Sequence, residues 1–311
     1  MTVFLFLLCA IAAILLMGGY YTYRIAFYSP KKGRDKISTF ASHKYDPYRK
    51  EINRLFCQLS DRPYEEVSIV SFDGLTLFGR YYHVKDGAPL DIGFHGYRSS
   101  ALTDFAGGSE LSFSMGHNLL LIDERAHGRS EGRTIAFGIQ ERWDVESWAR
   151  FAVEQFGADV QIILYGVSMG AATVLMAAGL DLPENVKGII ADCPYSSPGD
   201  IIRKVARDMH MPDRLAWPFV KIGGRVYGGF DVDEMDAARA VKQAKIPILI
   251  IHGESDSFVP CEMSDIAAEN PALVTRYTFP GADHGFSYLV DTPRYKKIVT
   301  EFAEKALAPK A

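Results

Sequence analysis

The stretch I-I-L-Y-G-V-S-M-G-A-A, Ile162 to Ala172, decides the reading of this chain. An apolar β-type run ends in a serine with glycine two residues before it and two residues after it, and small residues follow. The pattern predicts a buried strand over Val160–Tyr165, a tight turn, and a helix over Ala171–Leu180. Ser168 then stands at the carboxyl end of a strand, where open α/β sheets carry their chemistry. A side chain pointing out of so tight a turn leaves no room for Cβ atoms at 166 and 170, which accounts for the two glycines. The helix that follows turns its positive dipole end toward the serine and favours negative charge developing there.

Outward from this stretch, Val67–Val70 and Leu75–Tyr82 alternate around Asp73-Gly74, a hairpin pattern. Leu90–Phe94, Asn118–Ile122, Val186–Ala191, Ile246–Ile251 and Val274–Phe279 are short, mostly aliphatic runs. Helix-length stretches such as Gly138–Phe156 separate most of them. Alternating β and α elements predict a mostly parallel central sheet with helices on both faces, and the hairpin adds antiparallel strands at one edge. With 311 residues, 48% of them hydrophobic, the chain can bury one large core and carry an insertion. A net charge of -4 without a basic stripe gives no sign of nucleic-acid binding. Cys9, Cys57, Cys193 and Cys261 form no CxxC pair, and neither HxH nor HExxH occurs. A disulfide framework, a zinc site and a metal-centred mechanism therefore have little support, and no cofactor is implied.

The N-terminus differs in kind. Val3–Gly19 carries no charge and runs into Tyr20, Tyr21 and Tyr23. It is long enough to cross a bilayer, with tyrosines suited to the headgroup region. A cleaved signal peptide is the competing reading, but no Lys or Arg precedes the run and bulky tyrosines stand where small cleavage-site residues belong. Residues 1–24 are accordingly read as an uncleaved single-pass anchor. Arg24, Lys31, Lys32, Arg34 and Lys36 after it place the following domain on the cytoplasmic side. Residues 25–62 read as an approach segment, helical over Ser38–Arg62, and residues 63–311 as the α/β domain.

A serine hydroxyl is a weak nucleophile and needs a base oriented by a carboxylate. His284 follows the last predicted strand in Gly281-Ala282-Asp283-His284-Gly285. Asp256 follows the strand Ile246–Ile251, with Glu254 as a rival carboxylate two residues earlier. Ser168, Asp256 and His284 thus occur in the order Ser, Asp, His, each at the end of a different strand.

From about Ser38 onward the chain resembles the serine α/β-hydrolases, in particular bacterial members with an N-terminal anchor. The residues that carry this are His95-Gly96-Tyr97, Asp123-Glu124-Arg125-Ala126-His127-Gly128-Arg129-Ser130, Gly166-Val167-Ser168-Met169-Gly170, His252-Gly253-Glu254-Ser255-Asp256 and Asp283-His284-Gly285. The chain departs from the commoner form of the second motif in having Ala126 where glycine is usual. The resemblance implies the α/β-hydrolase fold and an oxyanion hole from the backbone N–H groups of Tyr97 and Met169. His95 and Gly96 could equally form a plain strand-end turn, and His127 with Gly128 reads as a brace of the sheet top. Halide-cleaving relatives are disfavoured, since position 168 is not a carboxylate.

Residues 194–235 are too long for a plain crossover. Apolar residues from Ile201 to Phe230 interleave with Arg203, Lys204, Arg207 and Asp208, which reads as an amphipathic helical cap over the site, with a crossover helix plus a surface loop as the competing reading. Its apolar content favours a hydrophobic acyl or aryl substrate, a small molecule or a lipid. Carboxylic ester hydrolysis is the first reading. Amide or peptide cleavage, or acyl transfer, by the same three residues is the second, and a non-catalytic binding protein on this fold is the third. No motif specifies an oligomeric state.

Overall fold

The structure, a computed structural model, describes residues 1–30 and 43–309. The expected runs become the strands β1 (Glu65–Val70), β2 (Thr76–Tyr82), β3 (Leu90–Phe94), β4 (Asn118–Asp123), β5 (Ile162–Val167), β6 (Val186–Asp192), β7 (Ile248–Gly253) and β8 (Val274–Phe279). They form one eight-stranded sheet in the order β1-β2-β4-β3-β5-β6-β7-β8. β1 and β2 are antiparallel, β2 joins β4 antiparallel, and every later pairing is parallel. β7 begins only after Pro247, which has no N–H to donate to a ladder.

The helices are α1 (Thr2–Thr22), α2 (Arg49–Ser60), α3 (Ala101–Asp104), α4 (Ala106–Ser114), α5 (Glu141–Phe156), α6 (Met169–Ala177), α7 (Pro198–Asp208), α8 (Asp213–Ile222), α9 (Ala237–Gln243), α10 (Ser287–Val290) and α11 (Thr292–Leu307). A period of two along each central strand supplies both faces of the sheet. Ile162 and Leu164 join α5, α6 and α9 in one core, whereas Ile163 and Tyr165 join α2, α4 and α11 in the other. All nine residues of α6 are buried, which is why its sequence is small and apolar all round.

α1 continues through a π-helical turn, Tyr23–Phe27, whose Phe27 is fully buried against Phe137 and Phe230. The turn that ends the N-terminal helix is therefore built into the domain core, whereas α1 before it is almost wholly exposed. Within the expected helical stretch Ser38–Arg62, the described residues form a 3-10 turn over His43–Tyr48 and then α2, whereas Tyr28 of the approach segment bridges to Thr134. The expected helix over 38–42 and the cluster Lys31, Lys32, Arg34 and Lys36 lie outside the described residues.

Candidate active site

β5 delivers the chain to Ser168 and α6 departs from it. Ser168 has φ 55 and ψ -114, a conformation that L residues avoid and that neighbouring structure must enforce. The enforcement is visible. Its N–H donates to the Asp192 carbonyl at 2.8 Å, and its carbonyl accepts from Ala172 at 3.1 Å. A Cβ on Gly166 would lie 2.2 Å from the Gly170 carbonyl oxygen, and one on Gly170 would lie 2.0 Å from the Phe94 carbonyl oxygen. The two glycines let α6 press against its own strand and against the end of β3.

The loop after β8 brings His284 to this serine: His284 Nε2 lies 2.9 Å from Ser168 Oγ and Nδ1 lies 2.7 Å from Asp256 Oδ2. Asp256 Oδ1 accepts the backbone N–H groups of Phe258 and Val259 at 2.9 and 2.7 Å, and the buried His252 ring stands 3.3 Å from Oδ2. Burial works to raise the Asp256 pKa, but hydrogen bonds from His252, His284 and the Val259 N–H together hold it well below the usual carboxylate range. An ionised Asp256 only accepts, so the proton of neutral His284 sits on Nδ1, and Nε2 accepts from the serine hydroxyl. The two loops are stitched together: Asp283 Oδ1 accepts from the Ser257 N–H at 2.8 Å, and Ser255 N–H donates to the Ala282 carbonyl at 3.0 Å. Lys44 Nζ reaches Asp283 Oδ2 at 2.5 Å. Glu254, the rival carboxylate, points elsewhere and accepts from the Thr278 hydroxyl at 2.7 Å.

Beside Ser168 runs the loop after β3. A Cβ on Gly96 would start 3.2 Å from Ser168 Cβ, so residues 96–97 lie directly against the serine. Asp104 clamps this loop, accepting the Gly96 N–H at 2.6 Å and the Ser99 hydroxyl at 2.5 Å. The Tyr97 hydroxyl turns away to the Ala26 carbonyl at 2.7 Å, and Met169 opens α6 with its side chain fully buried. His95 and His127 are both buried braces. His95 Nε2 accepts from the Glu124 N–H at 3.2 Å, and His127 Nε2 accepts from the Arg98 N–H at 3.0 Å. Ala126 has φ 62, so the alanine occupies a left-handed turn where glycine would be unstrained. Its neighbour Arg125 is buried and forks onto Asp144 at 2.6 and 2.7 Å.

Three site residues carry no motif that the sequence reading used. Asp104 is one. Asp192, at the end of β6, is another: its Oδ2 accepts from the Tyr295 hydroxyl at 2.8 Å, while Oδ1 has no hydrogen-bond partner among the described residues. Burial raises its pKa to about 6, against the Tyr295 hydrogen bond and the nearby histidines. Cys193 is the third, buried with φ 49, its thiol pushed well up by burial. The ligand atoms of Cys193, Asp256 and His284 lie within 4.8 Å of one another. Asp256 and His284 already bond each other there, so a metal held by this set would dismantle that chain.

Ser168 and His284 open onto a chamber of about 310 Å³ lined by Ile52 and Leu55 of α2, Tyr97, Arg98, Asp192, Tyr288, Leu289 and others. The expected cap over 194–235 is helical but does not roof this chamber, and none of its residues is among the described lining. Its apolar face has another partner. Val220 and Phe230 join the core that holds Phe27, and α8 packs on α1 through Phe219 and Ile222 against Gly18 and Gly19. Lys204 of the insertion reaches the site's edge, its Nζ donating to the Ser257 carbonyl at 2.6 Å. The wall comes instead from the approach segment.

Residues 93–214 match the family model described as alpha/beta hydrolase fold. The Pyrococcus furiosus esterase Pf2001 superposes with a TM-score of 0.64 at 22% identity, over 82% of this chain and 94% of that one. The chain thus has the alpha/beta hydrolase fold. Among curated sequences it is similar to the uncharacterized protein YqkD of Bacillus subtilis, 24% identical over 94% of each chain. It is also similar to the thiohydrolase aneE of Aspergillus aculeatus, 31% identical over 50% of this chain and 48% of that one.

Proposed function

We propose that the chain is a serine hydrolase that cleaves carboxylic esters through Ser168, His284 and Asp256. The observation that supports this reading most is the unbroken hydrogen-bonded chain from Ser168 Oγ through His284 to an ionised Asp256. Ser168 Oγ attacks the acyl carbonyl as its proton passes to His284 Nε2, and Asp256 stabilises the imidazolium. The backbone N–H groups of Tyr97 and Met169 receive the charge on the tetrahedral oxygen, each such donor typically lowering the barrier by about 3–4 kcal/mol. His284 returns the proton to the leaving group, then activates water against the acyl-enzyme. Ile52, Leu55 and Leu289 suit a hydrophobic acyl or aryl group. Residues 1–24 anchor the enzyme in a membrane with its catalytic domain in the cytoplasm; digestion of that domain by protease added outside intact cells would reverse the orientation.

The similarity to a thiohydrolase favours a second reading, a thioester as substrate, with the same acyl-enzyme and a thiol leaving group. The deciding experiment is a panel of p-nitrophenyl esters, S-acyl thioesters and aminoacyl anilides on wild type and Ser168→Ala. Fluorophosphonate labelling is measured in parallel. Wild type should label and turn over an ester or thioester, and Ser168→Ala should do neither. Labelling or turnover that survives the substitution sinks the assignment, and preference for anilides moves the chain to the amide-cleaving class.

A further inference from the structure

The insertion that fails to roof the chamber has an unexplained surface. Leu215 is 70% exposed, Val226 57% and Met209 52%, on α8, on the π-helical turn Gly223–Gly228, and just after α7. This face lies beside the end of α1. Gly18 and Gly19 meet Phe219 and Ile222, the Thr22 hydroxyl donates to the Phe219 carbonyl at 2.8 Å, and the Tyr227 hydroxyl donates to the Leu16 carbonyl at 3.0 Å.

Length then decides what surrounds it. Val3–Gly19, at about 1.5 Å per residue, is about 26 Å long, against a hydrocarbon thickness of about 30 Å. α1 as a whole, Thr2–Thr22, is about 31 Å long and matches that thickness, so if α1 spans the bilayer, Leu16, Gly18 and Gly19 lie in the part of the apolar layer nearest the domain. Those are the residues that touch α8 and the π-helical turn. The domain is therefore drawn down until these elements meet the bilayer. Tyr20, Tyr23 and Tyr227 cluster at the same level, with ring centroids 5.4 and 6.1 Å apart, as an interfacial aromatic belt would.

We propose that α8 and the π-helical turn form a collar around the base of α1 that sits in the lipid interface, with the bilayer itself as its partner. The collar rests on the reading of residues 1–24 as a membrane anchor and deepens it. It also reaches the chamber. Arg98 Nη2 donates to the carbonyls of Ile25 and Tyr28 at 2.7 and 2.9 Å, and Tyr97 to that of Ala26, so the loop beside Ser168 is bonded to the chain just leaving the membrane. An acyl substrate dissolved in the interface would thus have its carbonyl presented close to the lipid surface.

The test uses the full chain with Cys9→Ala, Cys57→Ser and Cys261→Ser, reconstituted in phosphatidylcholine vesicles. Bimane is attached at Leu215→Cys, Val226→Cys, Leu8→Cys or Asp86→Cys, all exposed positions whose replacement leaves the core untouched. Lipids bearing doxyl groups at shallow and deep acyl positions act as quenchers. Labels at 215 and 226 should be quenched at least half as strongly as the label at 8, and more by shallow than by deep doxyl, while the label at 86 stays bright. Quenching at 8 with 215 and 226 behaving like 86 overturns the collar and leaves the anchor standing. Shielding of 215 and 226 from water-soluble quencher without lipid quenching would mean a second copy covers them and would also overturn it. A bright label at 8 removes the anchor reading and the collar with it.

Discussion

Replacing Gly170 with alanine tests whether the elbow's geometry sets reactivity. The new Cβ would sit 2.0 Å from the Phe94 carbonyl oxygen, 2.4 Å from its carbon and 2.8 Å from the His95 carbonyl oxygen. Cβ contacts under 3.0 Å are essentially never tolerated, so α6 and β3 must separate by about 1 Å. Both are core elements, and neither flank is a flexible side chain. Ser168 rides on α6, whereas His284 is fixed to a different pair of loops, so the displacement falls on the 2.9 Å Ser168–His284 contact. A misplacement of that size typically costs about 10²-fold in rate, or about 2.7 kcal/mol of barrier, with about 1–3 kcal/mol of overpacking in stability. Gly179→Ala is the control: its Cβ would meet nothing nearer than 3.5 Å. The measurements are the fluorophosphonate labelling rate of folded protein, kcat/KM on the best ester, and thermal melting. Wild-type labelling and an unchanged Tm in Gly170→Ala would refute the reasoning.

Asp256→Asn should lower kcat by about 10⁴-fold through loss of the His284 orientation, while Glu254→Gln should stay near wild type; the reverse ranking in steady-state kinetics would reassign the carboxylate. Asp192 is held protonated to about pH 6 in the folded state, above its ordinary value of 3.8, so the native protein should lose stability as pH rises between those values. Asp192→Asn should remove that loss, gaining on the order of 3 kcal/mol over wild type above about pH 6 and little below about pH 4. A gain independent of pH in denaturant melts would refute it. Arg125→Ala should destabilise by about 3–5 kcal/mol by stranding the buried Asp144 carboxylate, and Arg125→Lys should recover little because an ammonium cannot fork; urea midpoints report both.

The eight strands were legible because buried strands announce themselves within a few residues. Ile162, Ile163 and Leu164 need no distant context to be read as a strand with two covered faces. The elbow was legible for the same reason, since the steric demand on Gly166 and Gly170 is local. Asp104 was not, because a lone aspartate at the end of a four-residue helix has no pattern, and its clamp on Gly96 exists only once β3 and α3 are placed. Ala126 was legible as a departure but not as strained, which needed its φ.

By itself the sequence determined the element order, the sheet's parallel character, and three candidates at strand ends, because side-chain period and turn sterics act over a few residues. Only the tertiary structure decided which surfaces meet. The amphipathic insertion over 194–235 could have covered the chamber or something else. Periodicity tells which face is apolar but not what lies against it, and here Phe219 and Ile222 find α1 while Ile52 and Leu55 wall the chamber. The same holds for Ser168, Asp256 and His284: their meeting at 2.7 and 2.9 Å follows from β5, β6, β7 and β8 lying side by side, an order set by long-range pairing.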